Sequence, residues 1–277
     1  MKKTAILFGA LMALTSCGTK PQNATDDVAS TKSLVIYYSQ TGATKQMAET
    51  LQQQTGADLT QLSVVTPYDG DFNATIERCQ KEMAEGIAPE IVALDKDVAA
   101  YDTIYLCYPV WFGTYAQPVA GLIKSVNLKG KVIVPCCTFG SGGLNTSTEA
   151  LRAALPESEF IAGYGVRNAR IAAAPAEVKE FLTRSGIIEG EVETLPEYSE
   201  QQPVTPELEA IFNAACGSYP MPLGAPISAA SRTTSKGADY CFVAENKAAE
   251  GQTSTIKVYI IVPEGEGATP EFTQVER

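Results

Sequence analysis

The sequence predicts an α/β domain, a doubly wound five-stranded parallel sheet, followed by a small α+β module with antiparallel strands. Between Ser33 and Ile187, β-forming apolar runs alternate with helix-period stretches through about five units. The clearest of those runs are apolar at every residue rather than every second one, as strands covered on both faces must be. After Gly186 the alternation stops, glutamates and prolines take over, and the chain ends in period-two strands.

Residues 34–38 form the first strand, and residues 44–54 a helix with Met47, Ala48 and Leu51 on one face, stopped by Gly56. Residues 58–65 alternate apolar and polar, which suits a strand nearer the sheet edge. Residues 73–85 are a charged helix with Ile76 and Met83 turned inward. The third strand (103–108), a helix (118–126), the fourth strand (131–137), a helix (146–155), the fifth strand (159–166) and a closing helix (176–185) complete the unit. Right-handed crossovers join such strands, and ligands bind at their carboxyl ends near the topological switch point.

An acidic linker, residues 188–204, carries Glu189, Glu191, Glu193, Glu197 and Glu200 with Pro196 and Pro203. Its charges keep it solvated. The module after it spans 205–277, near the lower size limit for independent stability. It opens with a short helix (206–215; Leu208, Ile211 and Phe212 inward). Residues 219–226 are too proline-rich for regular structure. Residues 240–245 and 255–262 read as antiparallel strands joined by a polar connection, 246–254, and residues 272–275 as a third strand.

The N-terminus reads as an address. Lys2 and Lys3 precede an apolar stretch, residues 4–14, far short of the roughly 20 residues a spanning helix needs. It ends in Leu14-Thr15-Ser16-Cys17, which resembles a bacterial lipoprotein signal with Cys17 as the acylated residue. Residues 1–16 are then the signal peptide, residues 17–32 a polar flexible tether, and the protein is expected in the bacterial cell envelope, membrane-bound through lipid alone, on the periplasmic or surface side. An ordinary secretory peptide with an incidental cysteine is the alternative. Loss of the two lysines would take the net charge from −11 to −13.

Composition narrows the chemistry. The 277-residue chain has no histidine, which removes Ser-His-Asp and Cys-His nucleophile pairs, His-ligated zinc and haem, and histidine acid–base work. A net charge of −11 and a pI near 4.6 give no nucleic-acid footprint. There is no Cys-x-x-Cys, so zinc, iron–sulfur and thioredoxin readings have no support. Cys107 and Cys136 read as small buried hydrophobes, and Cys137, which opens the glycine loop, as core filler or else a ligand contact. Cys216 and Cys241 are the pair that an oxidising envelope could bridge in the small module, although no spacing rule fixes them.

Three strand ends carry candidate binding residues. The first strand runs into Ser39, Gln40, Thr41, Gly42, Ala43 and Thr44, a hydroxyl-rich turn entering a helix. Backbone amides, hydroxyls and the positive helix end make that turn a phosphate cradle, or else an ordinary helix cap. It lacks the Walker lysine and the three-glycine dinucleotide fingerprint. The third strand ends in Pro109, Val110, Trp111, Phe112 and Gly113, placing the only tryptophan on a loop where an aromatic surface needs a π partner, unless Trp111 plugs the core. The fourth ends in Thr138, Phe139, Gly140, Ser141, Gly142 and Gly143, whose backbone can approach a flat polar edge, or form a flexible loop with no ligand. Strands one, three and four are neighbours in the order 2-1-3-4-5, so these loops share one rim.

At these residues the sequence resembles the flavodoxin family over roughly 33–187. The Ser-x-Thr-Gly-x-Thr turn at Ser39–Thr44 is the most specific motif, and the Pro-x-Trp-x-Gly and glycine loops match the two flavin-flanking segments. The resemblance implies noncovalent FMN: phosphate on Ser39–Thr44, isoalloxazine against Trp111 and Phe112, and its polar edge on the amides of Thr138–Gly143. It also suggests that Gly113 lets its peptide turn toward the flavin N5 in the reduced states.

FMN supplies the redox chemistry, and no side chain is singled out as catalytic. An aromatic sandwich in a net negative domain disfavours a negatively charged reduced flavin, which suits a one-electron carrier. Electron transfer to a redox partner protein or small acceptor is the expected function. An FMN-dependent NAD(P)H:quinone-type reductase and a binding module that has lost FMN are the alternatives. Asp69, Asp71 and Glu77 could form a docking face, or a plain soluble surface.

Overall fold

Residues 32–247 and 253–277 are described by a computed structural model. The chain begins with β1 (Ser33–Tyr37), α1 (Ala43–Thr55), β2 (Asp58–Gln61) and α2 (Phe72–Glu85). Next come β3 (Thr103–Trp111), the two-residue β4 (Thr114–Tyr115), α3 (Gln117–Ser125), β5 (Val132–Phe139) and α4 (Leu144–Ala154). The last parallel strand is split into β6 (Glu159–Phe160) and β7 (Tyr164–Arg167), and α5 (Ala174–Arg184) closes the unit. β2, β1, β3 and β5 pair in parallel in that order, with β6 and β7 both on the outer side of β5. This is the expected 2-1-3-4-5 sheet.

The continuous apolar runs are explained by the two covered faces. Leu34, Ile36, Ile104, Leu106 and Ile133 pack into one cluster with Val119 and Leu122 of α3 and Leu151 of α4. Their neighbours Val35, Tyr37, Tyr105, Cys107, Val134 and Cys136 point the other way, against Met47 and Leu51 of α1 and Val178 and Leu182 of α5. Removing one such buried leucine side chain costs about 2–5 kcal/mol.

Several boundaries differ from expectation. The second strand stops at Gln61; past it, Val65 donates to the Glu90 carbonyl and Val92 to that of Ser63, so the chain has left the sheet to pair with a loop. The fifth strand breaks where its neighbour carries Pro135, which has no N–H to donate, and where a Cβ on Gly163 would lie 2.5 Å from the Pro135 carbonyl oxygen. On α2 the buried residues are Cys79 and Glu82, while Met83 is 41% exposed. Glu82 takes the inward position because Arg78 and the Tyr68 hydroxyl both bond it.

The C-terminal module contains β8 (Gln202–Pro203), α6 (Pro206–Cys216), β9 (Ala225–Thr234), β10 (Gly237–Lys247), β11 (Thr253–Pro263) and β12 (Glu271–Glu276). They form one antiparallel sheet, ordered β12-β11-β10-β9-β8. One face packs on α6 through Phe212, Phe242, Val258, Ile260 and Phe272. β9 was not foreseen: it begins inside the proline-rich segment, and Pro226 is accommodated where the β9–β10 register shifts. β10 and β11 run further than expected, and the middle of the 246–254 connection lies outside the described residues. So do the signal segment 1–16, Cys17 and all but the last residue of the tether.

Cys216 and Cys241 are free thiols. Cys216 shares the α6 face with Phe242, and the period-two alternation puts the adjacent Cys241 on the other side of β10, so the geometry gives no bridge. Both sheets belong to one compact unit.

Candidate functional site

The first loop prepares a helix start that no side chain caps. Gly42 adopts φ 96°, a left-handed conformation that favours glycine, and donates its N–H to the Ser39 hydroxyl at 3.1 Å. No side-chain oxygen accepts from the first turn of α1, whereas Asp71 caps α2 by accepting from the Ala74 amide at 2.8 Å. The α1 amides therefore face the rim with the positive end of the helix behind them, the donor set a phosphate monoester requires. Asp71, one of the three acids considered for docking, is thus occupied as a cap.

Two of the hydroxyl and amide side chains brace the site rather than open into it. The Thr44 hydroxyl lies 2.8 Å from that of Thr138, both buried, tying the first loop to the third. Gln40 accepts from the Tyr38 hydroxyl at 2.5 Å and donates to the Tyr68 carbonyl at 2.5 Å.

The second loop builds an aromatic wall. Trp111 is half-buried and meets Tyr38 and Tyr68 edge to face, with centroids 5.7 and 5.3 Å away. Burial raises the pKa of both tyrosines, and for Tyr68 the hydrogen bond to Glu82 raises it further, so both rings stay neutral. Phe112 and Gly113, with φ 52° and 78°, turn the chain from β3 into β4, and Phe112 is the one non-glycine with positive φ among the described residues. A two-residue hairpin with both φ positive demands this conformation, and a bulky side chain there stores strain. Thr146 on α4 donates to the Gly113 carbonyl at 2.7 Å.

These loops surround a cavity of about 470 Å³, within the range of small-molecule sites. The first loop contributes Gln40, Thr41 and Thr44, the second Pro109, Val110 and Trp111, and the third Thr138, Phe139 and Gly140. The other expected residues, Ser39, Gly42, Ala43, Phe112, Gly113, Ser141, Gly142 and Gly143, do not line it. Gly113, Gly142 and Gly143 instead line a neighbouring cavity of about 340 Å³, closed by Gln274 to Arg277 of the C-terminal strand. Phe112, expected against the ring system, is 50% exposed and off the wall; the aromatic on the lining besides Trp111 and Phe139 is Phe72 of α2, itself 79% exposed.

Gly70, Phe72, Thr75 and Asn168 complete the lining and were not anticipated. A signal for them existed: Tyr68 on the loop after β2 and Phe72 at the start of α2 flank Gly70, and that loop opens at the same sheet edge as the others. Aromatics on a loop demand the same explanation there as at Trp111.

No lining residue is titratable. Such a cavity offers neither acid, base nor nucleophile, and its chemistry must come from a bound group. The residues fit FMN: an uncapped helix start for the phosphate, Trp111 for a π face, and Gly140, whose missing Cβ has no neighbour within 4 Å, for close backbone approach.

No curated protein matches the chain. Among solved structures, a protein from Bacteroides eggerthii is 27% identical (56% of this chain, 98% of that one, TM-score 0.47). A second, from Bacteroides uniformis, is 24% identical (54% and 98%, TM-score 0.49). A flavoprotein of Lactobacillus acidophilus solved in complex with FMN is also 24% identical (53% and 99%, TM-score 0.44). Residues 32–183, more than half of the sequence, match the Flavodoxin family model, so the chain belongs to the flavodoxin family, with FMN as its cofactor.

Proposed function

We propose that this protein is an FMN-dependent electron-transfer protein of the bacterial envelope, passing electrons to a redox partner protein or small acceptor. The cavity carries the reading: three loops at one sheet edge enclose a space with an aromatic wall, a free helix start and no titratable side chain. Purified protein should be yellow, or become so with added FMN, whose fluorescence should be quenched on binding. A colourless protein that takes up no FMN would overturn this and favour a binding module that has lost the cofactor.

The neighbouring 340 Å³ cavity supports a second reading, an FMN-dependent NAD(P)H:quinone-type reductase. It meets the flavin loops at Gly113, Gly142 and Gly143 and gives a small acceptor a place beside them. Stoichiometric NAD(P)H oxidation on addition of a quinone distinguishes the two.

Attachment to the membrane rests on Cys17. No helix among the described residues is long and apolar enough to cross a membrane. Acyl chains on Cys17 should send the protein to the membrane fraction, and Cys17→Ser should release it; a Cys17→Ser protein that still partitions wholly with membranes refutes the anchor.

A further inference from the structure

The C-terminal module meets the third loop of the cofactor site backbone to backbone. Val275 of β12 donates its N–H to the Ser141 carbonyl at 2.7 Å. A Cβ on Gly142 would lie 2.1 Å from the Val275 carbonyl oxygen, so the two backbones are as close as a glycine permits. Beside this contact, at the carboxyl end of β7, stands Arg167. Its Nε donates to the Gly140 carbonyl and its Nη1 to the Phe272 carbonyl, both at 2.8 Å. The guanidinium also lies 4.0 Å from the centroid of the Phe272 ring.

Arg167 differs from its neighbour in charge balance. Arg170 is neutralised by Glu177 at 2.8 Å and Glu271 at 2.9 Å. Arg167, half-buried, forms no ion pair among the described residues; its partners are two carbonyls and the faces of two aromatic rings, Phe272 and, at 5.4 Å, Tyr219. Arginine stays protonated in such a setting, so an uncompensated positive charge sits against Gly140, which lines the cofactor cavity, and next in sequence to Asn168, which also lines it.

We propose that Arg167 is a positioning residue through which the C-terminal module completes the flavin site: its fork clamps Gly140 to Phe272, and its charge favours the reduced, negatively charged cofactor. The module is then part of the binding site, not an appendage. This rests on the FMN reading above. The fork and the charge are separable. An Arg167→Lys variant keeps the charge but cannot bridge both carbonyls with a planar fork, whereas Arg167→Gln loses the charge as well.

The test uses the full chain, with FMN affinity read from fluorescence quenching and the potential of bound FMN from anaerobic dye-coupled titration. Arg167→Lys should bind FMN about tenfold more weakly with no change in potential. Arg167→Gln should also bind more weakly, and its reduced-to-oxidised affinity ratio should fall about tenfold, a shift of roughly 30 mV to more negative potential for a two-electron couple. Should Arg167→Gln fail to fold, the Arg167→Lys affinity decides. Wild-type protein that takes up no FMN overturns the cofactor reading and this inference with it. Wild-type protein that binds FMN, with folded variants matching it in affinity and potential, overturns this inference alone.

Discussion

Replacing Trp111 by alanine separates the aromatic wall from the strained turn beside it. The indole is half-buried and holds two edge-to-face contacts, to Tyr38 at 5.7 Å and Tyr68 at 5.3 Å. A fully buried tryptophan costs about 3–5 kcal/mol when cut to alanine. Half of that, with two ring pairs at about 0.5–1.5 kcal/mol each partly counted within it, leaves roughly 2–3 kcal/mol of lost stability. Loss of the π face toward the flavin should cost a further 1–2 kcal/mol or so of binding, about 5- to 30-fold in FMN affinity. Phe112→Gly is the matched control. At φ 52° a side chain is strained by about 1–2 kcal/mol, and the entropy cost of glycine returns about 0.5–1, so stability should hold or rise slightly and FMN affinity should not move. Urea unfolding of the apo-protein and FMN fluorescence titration measure both. If Phe112→Gly abolishes FMN binding while Trp111→Ala binds normally, the ring stacks on the wrong residue for this account and the wall assigned here is refuted.

Two other perturbations follow from buried or paired groups. Thr44→Val should cost about 1–3 kcal/mol by stranding the Thr138 hydroxyl, and the double variant with Thr138→Val should cost less than the sum of the singles, as a double-mutant unfolding cycle would reveal. Glu180 of α5 pairs with Arg184 and with Lys236 at the β9–β10 turn. Burial raises its pKa, but the two cations outweigh that and hold it below the ordinary 4.5. Its contribution is therefore complete above the unfolded pKa and lost as pH falls through the folded one. Wild type should lose stability relative to Glu180→Gln below pH 4.5, by less than about 1 kcal/mol because the pair is partly exposed; identical pH–stability curves would remove the effect.

The parallel sheet was legible because its strands are buried on both faces. Leu34 to Tyr37 and Ile104 to Tyr108 are apolar without interruption, and each such run ends in residues that only a turn or a ligand explains. β9 was not legible for the opposite reason. Its residues Ser228, Ala229, Ala230, Ser231 and Arg232 are small or polar, and it becomes a strand because β8 and β10 flank it. Tertiary pairing overrides weak propensity in such a case. Hydropathy alone puts Met83 inward, but the position one residue earlier holds a glutamate whose two hydrogen-bonding partners come from α2 and the loop before it, which no periodicity records. Phe112 and Phe72 show the same limit at the site. Both are aromatics near a loop, and only the hairpin at Phe112 and the helix start at Phe72 decide which of them borders the cavity.

Arg167 changes the electrostatic expectation for the flavin itself. A net charge of −11 by itself implies a negative domain that opposes a negatively charged reduced cofactor. Most of that charge is on the surface, and at physiological ionic strength exposed charges are screened beyond about 8 Å. A half-buried guanidinium bonded directly to the carbonyl of a cavity-lining residue is screened far less. On the proposal above, the nearer positive charge should offset part of the effect of the distant negative ones, and the potential should then respond more to Arg167 than to net surface charge. That residue reaches its place through β7 of the parallel sheet and is held there by β12 of the C-terminal module, about a hundred residues further along the chain. A flavodoxin sheet without the added module would lack the Phe272 carbonyl and ring that hold the charge in position.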